Sequence, residues 1–203
     1  MDEMKRLTKE ERRRAYDEVF REAFPRSELK PLRAIERLIA AGEYDFWAML
    51  RDGEEVCYLC NWIDGNYILI DYFCVPKTMR SGGIGSAALP MMMAQYPEDT
   101  VFIGETEAET GNPERDVLIL RRQGLYRRLG AQYMPSECAL FGVKYCVIVW
   151  AKGAVDPDEV LRRHDGFYRS FPKAIYRAAI QMPLKKGEKI FSRTDWDEPD
   201  GKE

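Results

Sequence analysis

Val75-Pro76-Lys77-Thr78-Met79-Arg80-Ser81-Gly82-Gly83-Ile84-Gly85-Ser86-Ala87-Ala88-Leu89 is the stretch that decides the fold. It follows Tyr67-Ile68-Leu69-Ile70-Asp71-Tyr72-Phe73-Cys74, and Tyr67 to Val75 reads as a strand, apolar on both faces and therefore central. Pro76 ends that strand, a polar glycine-rich loop follows, and Ser86 to Gln95 reads as a helix. Glycines without side chains let backbone N–H groups converge on an anion, and the helix start adds its dipole to the same point. Arg80 supplies a forked cationic donor suited to phosphate. Strand, arginine, glycines and helix start, in that order, point to a phosphate or pyrophosphate site. There is no Gly-Lys-Ser/Thr, which excludes a nucleoside triphosphatase loop. Gly83-Ile84-Gly85-Ser86-Ala87-Ala88 fits the dinucleotide fingerprint G-x-G-x-x-A, but that fingerprint wants its glycines immediately after a first strand. Here six residues intervene and hairpins precede, so a dinucleotide site is disfavoured.

Upstream, Thr8 and Glu11 form a capping box that opens a helix to about Phe24. Ser27 can cap a second helix, with Leu32, Ile35, Leu38 and Ile39 on one face, ending at Gly42. Phe46 to Arg51 and Glu55 to Ile63 read as a hairpin around Asp52-Gly53. Downstream, Thr100 to Glu107 is a strand, residues 108–116 an acidic loop, and Val117 to Leu129 a helix stopped by Gly130. Gln132 to Phe141 and Val143 to Ala151 are two further strands. Asp156 to Ser170 and Lys173 to Gln181 read as helices, and the tail from 185 is charged and frayed. The pattern predicts an α+β (mixed α/β) single domain, with a central mixed, mostly antiparallel sheet flanked by helices. The expected divisions are a core domain over 1–152, a C-terminal helical extension packed on it over 153–184, and a flexible tail over 185–203.

The 203 residues carry 31 Lys+Arg against 34 Asp+Glu, a net charge of −3, which argues against a nucleic-acid binder. No apolar run is long enough to span a bilayer, and the charged N-terminus lacks the apolar core of a signal peptide. Five cysteines, at 57, 60, 74, 138 and 146, read as reduced buried thiols of a cytoplasmic protein. Cys57 and Cys60 would point to opposite faces of one strand, and His164 is the sole histidine, so no metal site is expected. His164 reads as a solvated helix residue, far from any nucleophile motif, which makes Ser-His or Cys-His catalysis improbable.

Val75-x-x-x-x-Arg80-x-x-Gly83-x-Gly85-Ser86 resembles the acetyl-CoA loop of the GNAT superfamily of N-acetyltransferases, and Leu125-Tyr126-Arg127-Arg128-Leu129-Gly130-Ala131-Gln132-Tyr133 is similar to the family's Tyr-to-Gly segment. The order of elements from about residue 8 to 151 agrees as well. Ala131 stands where an aromatic residue often follows the glycine, and residues 154–203 lie outside the core pattern. The resemblance implies an acetyl-CoA-dependent acyltransferase, with the co-substrate in a cleft where the strands 67–75 and 100–107 splay apart. Backbone groups of Phe73, Cys74 and Val75 would then bind the pantetheine, and Arg80, Ser81, Gly82, Gly83, Ile84, Gly85 and Ser86 the pyrophosphate. A primary amine of a small molecule or peptide attacks directly, so no enzyme nucleophile is needed. A carboxylate can take the ammonium proton. Glu105 and Glu107 share one face of their strand, and Asp71 lies on the central strand, positions that are costly for a carboxylate unless paired or functional. Tyr126 resembles the tyrosine that protonates the departing thiolate. A non-catalytic CoA-binding module is the alternative, and a homodimer is compatible with either reading.

Overall fold

The computed structural model describes residues 1–26, 28–80 and 82–191. Ser27, the expected helix cap, Ser81 of the anion loop and the tail over 192–203 lie outside the described residues. Two units follow one another along the chain, Met1–Phe102 and Ile103 onward.

In the first unit, β1 (Asp2–Arg6), β2 (Tyr44–Arg51), β3 (Glu54–Asp64) and β4 (Tyr67–Cys74) pair antiparallel in that order. The sequence reading missed β1, because Asp-Glu-Met-Lys-Arg has no apolar alternation. It is an edge strand, where charge is the usual covering, and Arg51 grips Asp2 at 2.7 and 2.8 Å across the pair. The capping box is present: Glu11 N–H donates to Thr8 Oγ1 at 3.3 Å, and Thr8 N–H to Glu11 Oε2 at 2.9 Å. It starts α1 (Lys9–Ala15), which runs into a wider π turn over Tyr16–Phe20 and a last turn at Arg21–Ala23. The fully buried Phe20 meets Phe24, Phe46, Tyr58 and Tyr72 at ring separations of 5.5, 5.0, 6.0 and 5.6 Å, which seats this segment on β2, β3 and β4.

α2 (Leu32–Ala40) begins after Pro31, not after Ser27. Proline disfavours helical backbone in the residue before it, so Lys30 cannot continue a helix into Pro31. α3 (Ile84–Met93) starts two residues earlier than expected, directly from Gly83. One register shift matters for the site. Cys60 pairs with Tyr72 and Asn61 with Ile70, so Asp71 is an extra residue bulged out of β4.

β5 (Val101–Glu107) closes the first unit with its first two residues and then enters the second. There the strand order is β5, β7 (Val143–Trp150), β6 (Gln132–Leu140) and β8 (Ile180–Gln181). α4 (Pro113–Arg128) takes in half of the stretch expected to be loop. Asn112 Oδ1 accepts from the N–H groups of Glu114 and Arg115 at 3.0 and 3.3 Å, and Pro113 occupies the first helical position. α5 (Pro157–Arg169) and α6 (Lys173–Ala179) follow. The chain then turns extended at Ile180-Gln181 and pairs antiparallel with Leu140 and Ala139, where the sequence suggested continued helix. Gln181 also binds Lys189 O and Glu188 and accepts from Phe191 N–H, at 3.0, 3.0 and 2.8 Å, at the start of the charged tail. The architecture is mixed α/β, mostly antiparallel, with helices flanking the strands, as the sequence predicts.

Candidate active site

In the glycine-rich loop after β4 the chain passes into the next helix through a left-handed glycine. Gly83 adopts a left-handed φ of 71°, and a Cβ built there meets nothing within 4 Å, so the loop is open on that side. α3 starts at Ile84 without a side-chain cap. Its first ladder bond runs from Ala87 N–H to Gly83 O at 3.2 Å, so the N–H groups of Ile84, Gly85 and Ser86 precede the ladder. Uncapped N–H groups at a helix start, beside exposed glycines, are what a pyrophosphate needs. Arg80 folds back, its Nε donating to Val75 O at 3.0 Å. That contact fixes the arginine to the end of β4, so one carbonyl expected to face pantetheine is shared with it.

Asp71 is aimed by its bulge at two partners. Lys30 Nζ donates to Oδ1 at 2.5 Å, and Tyr44 O–H to Oδ2 at 2.6 Å. The pair is almost fully interior, with side chains 2% and 5% exposed. Lys30 Nζ also lies 5.2 Å from the Trp62 ring and 5.4 Å from the Tyr72 ring. Tyr72 O–H accepts from Lys30 N–H at 2.8 Å, and Tyr16 O–H donates to Lys30 O at 2.8 Å, which anchors the irregular stretch before α2.

In the second unit the two acids of β5 have different company. Glu107 is ion-paired through both oxygens, Oε2 to Arg115 at 2.8 Å and Oε1 to Arg122 at 3.2 Å. Glu105 meets an imidazole and a phenol instead. His164 Nε2 lies 2.5 Å from its Oε1, and Tyr168 O–H donates to the same oxygen at 2.7 Å. His164 is fully buried, which corrects the expectation of a solvated helix residue. Val160, His164, Phe167 and Tyr168 recur at helical spacing and form the buried stripe of α5. That spacing was the signal, in the sequence, that places His164 on the inner face. Glu105, Cys138 and His164 each bring one ligand-type atom within 4.8 Å of the others. Tyr126, half-buried on α4, sets its ring edge-on to Trp150 at 5.6 Å and 87°. Gly104 gives the room for that tryptophan, since a Cβ at Gly104 would lie 2.9 Å from the Trp150 ring.

The cysteines offer no nucleophile. Burial pushes all five thiols up, Cys74 at the end of β4 to about 11, so none is a thiolate at neutral pH. In the acidic stretch of residues 108–116, Asp116 is bound locally. Asp116 accepts from Thr110 and Gly111 N–H at 2.8 and 2.9 Å, and these bonds hold its carboxyl below the usual carboxylate range. No helix among the described residues is long and apolar enough to cross a membrane.

The chain has the fold of the GNAT-family acetyltransferases. A Bacteroides thetaiotaomicron protein described as a GNAT-family acetyltransferase superposes on 79% of this chain and 93% of its own, with a TM-score of 0.66 and 16% identity. The ribosomal-protein-S18-alanine N-acetyltransferase of Escherichia coli covers 77% of this chain and 97% of its own (TM-score 0.55, 14% identity). A GNAT-family acetyltransferase of Elizabethkingia anophelis with acetyl-CoA bound covers 74% and 97% (TM-score 0.52, 11% identity). No protein-family model matches the sequence, and no curated protein matches it.

Proposed function

We propose that this protein is an acetyl-CoA-dependent N-acetyltransferase that acetylates a primary amine of a small molecule or peptide by direct attack. The observation that carries the reading is the loop from Val75 to Ser86, an uncapped helix start reached through a left-handed glycine, on a fold shared with acetyltransferases. The N–H groups of Gly82 to Ser86 and the Arg80 guanidinium hold the pyrophosphate, and the end of β4 at Phe73 to Val75 lines the pantetheine. Acetyl-CoA supplies the acetyl thioester. The chain's own part is to bind, orient and move two protons. Glu105 takes a proton from the ammonium, directly or through water. Glu107 and Asp71 are the weaker choices, because every one of their carboxylate oxygens already has a donor in place. Tyr126 returns a proton to the departing thiolate. The absence of any thiolate at neutral pH fits direct attack rather than an acyl-enzyme.

Calorimetry with acetyl-CoA, followed by a primary-amine panel of amino acids, polyamines and short peptides read by CoA release, tests the proposal. Gly83→Val should abolish measurable acetyl-CoA binding while circular dichroism stays native. Undiminished affinity would remove the loop from the site. Tight binding without turnover on any amine would favour a CoA-binding module.

A further inference from the structure

We propose that His164 and Tyr168 are positioning residues for the base, so that α5, outside the family's core pattern, is a working part of the acetyl-transfer machinery. This rests on the reading of Glu105 as the proton acceptor. Both bonds converge on one oxygen: His164 Nε2 at 2.5 Å and Tyr168 O–H at 2.7 Å from Glu105 Oε1. Two donors on one oxygen stop the carboxylate from rotating and leave Oε2 for a third donor, the acceptor ammonium. Exposure follows the same division. His164 and Tyr168 are 0% and 3% exposed, while the Glu105 side chain, at 16%, is the member of the trio that meets solvent.

The histidine is the telling residue. Among the described residues its buried Nδ1 has no hydrogen-bond partner, and the ring's hydrogen bond there is the one to Glu105. A carboxylate only accepts, so a bond to ionised Glu105 requires the proton on Nε2. A buried nitrogen without a partner carries a desolvation cost that an apolar side chain of similar size would avoid, so packing alone does not account for the imidazole. Tyr168 braces the ring edge-on at 5.7 Å and 80°. α5 is itself fixed, capped at its start by Asp156 and tied to α6 by the bond between Tyr176 and Asp165. Cys138 on β6 also faces Glu105 and His164, and burial pushes its thiol well above the usual range, so it stays neutral.

The test has an arm that does not depend on turnover. His164 is the only histidine of the chain, so nitrogen-15 histidine labelling reports this ring alone. We expect the Nε2–H tautomer at pH 7, shifted by Glu105→Gln and unmoved by Glu107→Gln. The Nδ1–H tautomer, or a ring that titrates like a solvated histidine, overturns the proposal. So does about one equivalent of zinc in the purified protein whose removal by a chelator shifts the ring signals, since Glu105, Cys138 and His164 would then be ligands. For the kinetic arm, the best amine of the panel is acetylated at pH 6 to 9. Tyr168→Phe and His164→Met should each lower kcat by about tenfold or more with acetyl-CoA affinity unchanged, and His164→Gln should recover part of the loss by restoring one donor. Full kcat in both folded variants, beside a Glu105→Gln that is impaired, overturns the positioning role alone. An unimpaired Glu105→Gln instead removes Glu105 as the base, while the ring measurement still decides the geometry.

Discussion

Asp71→Asn is the substitution whose cost can be worked from the geometry. The change keeps the shape of the side chain and removes its charge. Lys30, only 2% exposed, loses the carboxylate 2.5 Å away, and Tyr44 loses a charged acceptor at 2.6 Å. Breaking one side of a buried pair leaves an uncompensated charge and costs roughly 3–5 kcal/mol. For a chain of this size that is about 6–20 °C in Tm. The exposed pair Arg21–Asp17, with side chains 66% and 46% exposed, is the control, and Asp17→Asn should cost no more than about 0.5 kcal/mol. Urea unfolding at pH 7 with an unchanged m-value measures both. Lys30→Met together with Asp71→Asn should regain more than half of the loss, because an apolar stem between the Trp62 and Tyr72 rings needs no counter-charge. Acetyl transfer by Asp71→Asn, normalised to folded protein, should stay near the wild-type rate. A cost below about 1 kcal/mol, or strictly additive effects in the double variant, would refute the reasoning.

Three other predictions concern separate parts of the molecule. Gly104→Ala places a methyl 2.9 Å from the Trp150 ring and 3.2 Å from Ile148, and should cost about 1–3 kcal/mol in denaturant unfolding, with a shift in Trp fluorescence reporting the displaced indole. Tyr126→Phe keeps the ring packed on Trp150 and removes only the hydroxyl, so turnover should fall by about 10² to 10⁴ with little change in Tm; an unchanged rate with chemistry limiting would leave Tyr126 a packing residue. Lys5 and the Thr8 N–H hold the Glu11 carboxyl at about 2, a lowered value, so its contribution is complete above the unfolded range near pH ~4.3 and is lost as pH falls toward 2. Glu11→Gln should therefore flatten the Tm curve between pH 5 and 2, and an acid limb as steep as that of the wild type would count against Glu11, held by Lys5 and Thr8, as its source.

What the sequence determined by itself was local. Glycines at 82, 83 and 85 after an apolar strand read as an anion loop because such backbone lets N–H groups converge. Thr8 with Glu11 specifies a helix start because both ends of the reciprocal bond lie three residues apart. Strand and helix periods carried most of the element order for the same reason. Neighbour-to-neighbour chemistry did not decide β1, whose charged residues belong to an edge that exists only once β2 is beside it. It did not distinguish Glu105 from Glu107, two residues apart on one face, because their difference comes from α5 on one and from the arginines of α4 on the other. It could not place Asp71 opposite Lys30, 41 residues away, since a one-residue bulge sets that direction. Nor could it bring His164 to a carboxylate 59 residues upstream, a pairing that only the packing of the C-terminal helix creates.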